Sequence, residues 1–143
     1  MRINPMFSSI LVAVDGSESA NKAFQRAIYL AQKCSSKMDL VHVIQCEVGG
    51  DSANTFEIID DVKDKAMKTL EKHRVEAAKN NVPIQITIMQ GDPAKAIIDI
   101  AKAKSYDLII MGTRGRSSFQ ELLIGSVSQK VMHHASCPVM VVR

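Results

Sequence analysis

Short runs of consecutive apolar, largely β-branched residues punctuate this sequence. They are Ile10-Leu11-Val12-Ala13-Val14, Leu108-Ile109-Ile110-Met111 and Val139-Met140-Val141-Val142, with Leu40-Val41-His42-Val43-Ile44 interrupted only by its histidine. A strand with one wet face alternates apolar and polar residues. A run without alternation has both faces covered, as strands of a parallel sheet do. Segments of helical period separate the runs. Ala20, Ala23, Phe24, Ala27, Ile28 and Ala31 recur at spacings of three and four, one face of a helix. Residues 56–80 read as a long helix with Val62, Ala66, Leu70 and Ala77 on its buried face, after a polar loop over 45–55 containing Gly49-Gly50. Ile84-Gln85-Ile86-Thr87-Ile88 does alternate, and Pro83 precedes it; this is a half-buried strand near a sheet edge. Asp92 and Pro93 suit the N-cap and first position of a further helix, with Ala94, Ile97, Ile98 and Ala101 inward. The last helix opens near Ser126 and ends before Pro138. Strict β-α alternation predicts an α/β fold, a parallel sheet with helices on both faces joined by right-handed crossovers.

The chain has 143 residues, of which 46% are hydrophobic. That is one domain's worth, and no linker or repeat divides residues 1–143. The net charge of +3 is too small for a dedicated DNA binder, and 2 Tyr, 4 Phe and no Trp argue against a single-strand binder built on stacking aromatics. Cys34, Cys46 and Cys137 include no C-x-x-C pair, so neither a disulfide framework nor a cysteine zinc site is suggested. Residues 1–9 lack a signal-peptide apolar region, and no run approaches the ~20 residues of a membrane helix. The expectation is a soluble protein of the reducing cytoplasm, with neither nucleic acid nor membrane as partner. G-x-x-x-x-G-K-[ST], a post-strand G-x-G-x-x-G and G-x-S-x-G are all absent, which argues against a P-loop NTPase, a dinucleotide-binding Rossmann site and an α/β-hydrolase.

Open α/β sheets bind ligands beyond the carboxyl ends of the strands, where strand order reverses. Two loops there carry unusual chemistry: Asp15-Gly16-Ser17, and the segment starting Gly112-Thr113-Arg114-Gly115-Arg116. Ser17 suits a helix N-cap. Gly112 and Gly115 permit positive φ and close backbone approach. Further on, Ser126-Val127-Ser128-Gln129 matches a capping box, with Ser126 as the cap and Gly125 before it. Free N–H groups at a helix start favour an anion, phosphate above all. Ser126 and Ser128 add hydroxyls, and Arg114 and Arg116 add charge.

The spacing Gly112-x2-Gly115-x9-Gly125-Ser126, taken with Ile10 to Ser17, Leu40-Val41-His42-Val43, Asp107 to Gly112 and Cys137 to Val142, resembles the ATP-binding universal stress proteins over essentially the whole chain. The resemblance implies a five-stranded parallel sheet in the order 3-2-1-4-5, like that of the adenine nucleotide α-hydrolases. It also implies an adenine nucleotide between strands 1 and 4, and homodimers. Carried over by residue, Ala13, Val14 and Asp15 border the adenosine, and Val43 lies at the adenine. Met111 and Gly112 line the ribose side, Gly115, Gly125, Ser126 and Ser128 hold the phosphates, and Arg114 and Val127 complete the pocket. Mg or Mn is expected to bridge the phosphates of ATP, and the Val139-Met140-Val141-Val142 edge to pair with a second copy.

Blander readings stand beside these. Adjacent helix positions such as His133 and His134 point about 100° apart, a poor metal pair. Asp60, Asp61 and Asp64 read as a solvated helix face, and His42 as a satisfied core histidine. No lysine, metal cluster or water-positioning base converges on the phosphate site, so binding is favoured over turnover. The leading function is a nucleotide-dependent regulatory or stress-response protein that couples ATP occupancy to an unknown protein partner. A slow ATPase or autophosphorylating phosphotransferase, and a dimeric interaction protein with a vestigial pocket, are the alternatives.

Overall fold

A computed structural model describes residues 6–45, 52–113 and 124–143, with residues 52–59 described by backbone alone. The elements are β1 (Ser9–Ala13), α1 (Glu18–Cys34), β2 (Lys37–Ile44), α2 (Ser52–Lys79), β3 (Ile84–Gln90), α3 (Pro93–Ala103), β4 (Leu108–Gly112), α4 (Ser126–His134) and β5 (Val139–Val142). The five strands form one sheet in the order β3-β2-β1-β4-β5. Every neighbouring pair is parallel. The fold is the α/β sheet that the alternation predicts.

Each strand feeds two cores, because successive side chains leave opposite faces of a pleated strand. Ile10, Val12, Met38, Leu40, Leu108 and Ile110 meet α1 and α2 through Ala20, Phe24, Ala27, Leu70 and Ala77. Leu11, Ala13, Val41, Ile109 and Met111 meet α3 and α4 through Ala94, Ile97, Ala101 and Val131. Helices on both faces are therefore the reason these strands read as unbroken apolar runs. The α1 face is as the spacing predicts, down to each of its six alanine, phenylalanine and isoleucine positions.

Several boundaries and faces differ from expectation. Val14 falls just past β1, although its N–H still donates to the Val41 carbonyl at 3.0 Å. α2 begins at Ser52, inside the stretch expected to be loop. Ala66 is half-buried, while Val62 stands 39% exposed rather than in the core. In α3 the buried side is Ala94, Ala96, Ile97, Ile100 and Ala101, with Ile98 only half-buried. Asp92 caps that helix as predicted, accepting from the Lys95 N–H at 2.9 Å.

β2 starts at Lys37, before its apolar run, and carries a carboxylate into the interior. Asp39 is 6% exposed. Its Oδ1 accepts from the Gln85 N–H of β3 at 3.1 Å, and its Oδ2 from the Tyr106 hydroxyl at 2.5 Å. Such a carboxylate is tolerable only because its lone pairs are met. Burial, and then the bond to Asp39, push the Tyr106 phenol above its ordinary value. The protonated phenol is thus favoured in the folded state. Its contribution to stability is complete below the unfolded value of about 10 and is lost as pH rises towards the folded one. Tyr106→Phe is expected to cost about 1–3 kcal/mol at neutral pH, because it strands one side of a buried acceptor. It should also flatten the alkaline fall in stability. Urea unfolding at both pH values checks this, and equal stability of the variant at neutral pH contradicts it.

A second carboxylate ties the two central strands together at their starts. Asp107 accepts from the N–H groups of Ser8 and Ser9 at 2.8 and 3.0 Å and from the Ser8 hydroxyl at 2.9 Å. The amino ends of β1 and β4 are fixed this way, and their carboxyl ends lie side by side at the point where strand order reverses.

Candidate functional site

A cleft of about 720 Å³ lies at that point. The carboxyl end of β1 brings Ala13, Val14 and Asp15, and that of β4 brings Met111, Gly112 and Thr113. The end of β2 contributes Val41 to Gln45, and the start of α4 contributes Gly125, Ser126, Val127 and Ser128. The described residues among those named above for ligand contact thus share one cavity. Arg114 and Gly115, together with Arg116, lie outside the described residues.

The start of α4 is built differently from that of α1 or α3. Ser17 caps α1, accepting from the Ala20 N–H at 3.2 Å. α4 has Gly125 at its N-cap, with φ −65° and ψ 161° and no side-chain cap bond. The capping-box expectation is therefore corrected by one residue: Ser126 is the first helical residue and not the cap. The reason lies in the backbone: with ψ at 161° Gly125 is extended, so helical dihedrals begin at Ser126, and the Gly125 N–H, which no helical carbonyl could take, donates to the Thr113 carbonyl at 2.6 Å. The Gly125 carbonyl accepts the first helical bond, from Gln129 at 3.0 Å. By helix geometry the N–H groups of Ser126, Val127 and Ser128 have no acceptor within the helix. Glycine supplies none from a side chain. Ser128 is 2% exposed, and its hydroxyl turns back to the Gly125 carbonyl at 3.0 Å and the Thr113 carbonyl at 3.3 Å. The hydroxyl of Ser126 belongs to an exposed residue.

Asp15 is exposed at the mouth. One oxygen accepts from the Ser17 N–H at 2.9 Å, which folds the loop back towards α1. Gly16 sits at φ +84°, a left-handed turn that glycine takes without strain. Gly112 has another reason to be glycine. It ends β4 in register with Val142 and is absent from the positive-φ positions of the described residues. A Cβ there would come within 2.7 Å of both the Ala20 nitrogen and the Ser19 carbonyl carbon. The close approach it permits is that of the first turn of α1.

The sequence reading missed several wall residues. His42 is half-buried in the cleft wall rather than in the core, with its Nδ1 2.8 Å from the Val14 carbonyl. That distance makes Nδ1 the protonated nitrogen. Its place beside Val43 at the end of β2 was the available signal. Val62, Pro93, Ile97, Thr113 and Ile124 also line the cavity. They come from elements whose relative placement no local pattern encodes. His133 and His134 are exposed, with ring centroids 6.5 Å apart. Asp60, Asp61 and Asp64 are exposed. Among the described residues no group of three or more His, Cys, Asp or Glu is placed to hold a metal, and no helix is long and apolar enough to cross a membrane.

The sequence profile of the universal stress protein family matches residues 6–143. The universal stress protein YxiE of Bacillus subtilis is 36% identical over 148 residues, an alignment covering 96% of this chain and 100% of the relative. Universal stress protein UspA from Lactobacillus plantarum superposes with a TM-score of 0.90 at 28% identity, covering 98% of this chain and 100% of that one. A universal stress protein from Archaeoglobus fulgidus, solved in complex with dAMP, shares the fold at a TM-score of 0.70 and 21% identity, covering 96% and 99% of the two chains. With a family profile that spans every described residue and a relative 36% identical along its whole length, the chain belongs to the universal stress protein family.

Proposed function

We propose that the protein binds ATP in this cleft, with Mg or Mn bridging the phosphates, and that occupancy regulates its binding to a protein partner. The observation that carries the reading is the bare start of α4, three N–H donors behind a glycine N-cap, opening into a cavity of nucleotide size. Ser126, Val127 and Ser128 offer these donors to the phosphates, Gly125 leaves their approach open because it has no side chain, and Gly115 and Arg114 complete the proposed phosphate contacts. Asp15 has acceptor capacity left for ribose hydroxyls beside Met111 and Gly112. Ala13, Val14 and Val43 offer apolar surface to the adenosine. A hard divalent ion takes oxygen ligands, and the phosphates and water supply them, so no protein cluster is required. Asp15 and His42 are the titratable side chains among the described residues of the wall. The reading is accordingly one of binding rather than rapid turnover, and the nucleotide acts as a regulatory ligand.

Calorimetry with MgATP is expected to show saturable binding at one site per chain. Absence of binding at millimolar nucleotide would overturn the reading. Mass spectrometry of gently purified protein provides an independent check, because a tight site retains its nucleotide.

The proposal includes a homodimer. β5 is an edge strand, paired only on its β4 side among the described residues. It consists of Val139, Met140, Val141 and Val142, all half-buried. It has neither the lysine nor the internal proline that blunts a natural edge. Antiparallel pairing with a second copy closes that edge by two-fold symmetry. Light scattering at micromolar concentration is expected to give the mass of two chains, and a monomer mass contradicts the pairing.

A further inference from the structure

Thr113 stands at the corner where the cleft meets the sheet edge. The Thr113 N–H donates to the carbonyl of Val142, at the end of β5, at 2.9 Å. The Thr113 carbonyl accepts from the Gly125 N–H at 2.6 Å and from the Ser128 hydroxyl at 3.3 Å. Thr113 is thus bonded on one side to the edge strand and on the other to the start of α4. The opposite edge strand, β3, is tied differently: Gly91 just beyond it donates to Ile44 of β2 at 3.0 Å. Both edges thus reach a residue of the cleft wall, and what distinguishes the β5 edge is that Thr113 is also bonded to the start of α4.

We infer that an anionic group on the start of α4 stiffens β5 through Thr113, making the β5 edge the surface on which occupancy of the cleft is read. This rests on the proposal that a nucleotide places its phosphates at α4. An anion held by the N–H groups of Ser126, Val127 and Ser128 restrains the first turn of that helix. The Gly125 and Ser128 bonds pass the restraint to Thr113, and the Thr113 N–H passes it to Val142. Energetic coupling of this kind is reciprocal. A second copy that pairs along β5 then tightens phosphate binding by the same factor.

Hydrogen exchange separates this inference from the reading beneath it. The wild-type protein is compared free, with saturating MgATP and with saturating adenosine, at a concentration where light scattering shows a single oligomeric state. MgATP is expected to slow exchange in β5 by about fivefold or more, with little change in β3, and adenosine is expected to leave β5 unchanged. Thr113→Pro removes the N–H that reaches Val142 and keeps the carbonyl that holds α4. In that variant MgATP should no longer protect β5, whereas Thr113→Ala, which keeps both the N–H and the carbonyl, should retain the protection. If Thr113→Pro does not fold, the contrast between MgATP and adenosine in the wild type decides. Calorimetric binding of ATP with unchanged β5 exchange overturns the inference and leaves the nucleotide reading standing. Equal protection by adenosine overturns it as well. No binding of ATP removes both, and calorimetry identifies that case.

Discussion

Gly125→Val is expected to give a folded protein that no longer binds ATP measurably. The backbone at Gly125 is extended, with φ −65° and ψ 161°, a conformation open to every L-residue. Valine therefore enters without backbone strain. Its cost to the fold is that of a poor N-cap, about 1 kcal/mol, against roughly 5–15 kcal/mol for a domain of this kind. Binding faces a larger loss. Phosphate oxygens must come to about 2.9 Å from the N–H groups of the first turn, and an isopropyl group at the N-cap stands beside that approach. Each charge-assisted bond lost costs about 1.5–3 kcal/mol, and every 1.4 kcal/mol is about tenfold in affinity. Loss of two such bonds weakens binding by more than about a hundredfold. Ser126→Ala should be mild, because Ser126 is the first helical residue and its hydroxyl caps nothing. Calorimetry should rank wild type tightest, Ser126→Ala intermediate and Gly125→Val beyond detection, with circular dichroism showing folded protein throughout. A folded Gly125→Val that binds ATP like the wild type places the phosphates elsewhere.

That experiment depends on a position the sequence marks well, and other positions show where sequence reasoning stops. β1, β4 and β5 are legible because helices cover both faces, so their apolar runs are unbroken. The first residues of β2 are not, because Asp39 reads as surface. Its partners, Gln85 and Tyr106, are 46 and 67 residues away along the chain, and no local pattern announces them. Ser52-Ala53-Asn54-Thr55 at the start of α2 has no apolar period to separate it from a loop. Val62 keeps the spacing of a core residue and still faces the cleft, because α2 overhangs the ends of the strands there. At the site, strand ends and glycines identify the loops that converge, whereas the exact cap of α4 does not follow from them. Ser126-Val127-Ser128-Gln129 has capping-box composition, and the extended backbone at Gly125, whose N–H is bonded to the Thr113 carbonyl, puts the cap one residue earlier. His42 departs from the core reading for a related reason: a histidine in a buried strand looks like core until the end of that strand is known to be a wall.

Gly112→Ala is expected to produce the opposite phenotype to Gly125→Val, a loss of stability at a residue that also lines the cleft. The added Cβ would sit 2.7 Å from the Ala20 nitrogen and as close to the Ser19 carbonyl carbon, both backbone atoms of α1. No side-chain rotation relieves that contact, so the first turn of α1 or the end of β4 must move. Both are anchored. Ser17 caps α1 and Asp15 holds Ser17, while Gly112 pairs with Val142 in the sheet. Overpacking of a rigid interior costs about 1–3 kcal/mol and more where backbone shifts. At roughly 3–5 °C per kcal/mol for a domain of this size, the melting temperature should fall by about 3–15 °C. ATP also distinguishes the two glycines. A ligand at 100 times its dissociation constant adds about 2.7 kcal/mol of stability, so MgATP should raise the melting temperature of Gly112→Ala if the α4 end of the site survives. It should leave that of Gly125→Val unmoved. A Gly112→Ala protein that melts with the wild type would mean that α1 yields without cost. The glycine would then have to be explained by the ligand rather than by the helix packed against it.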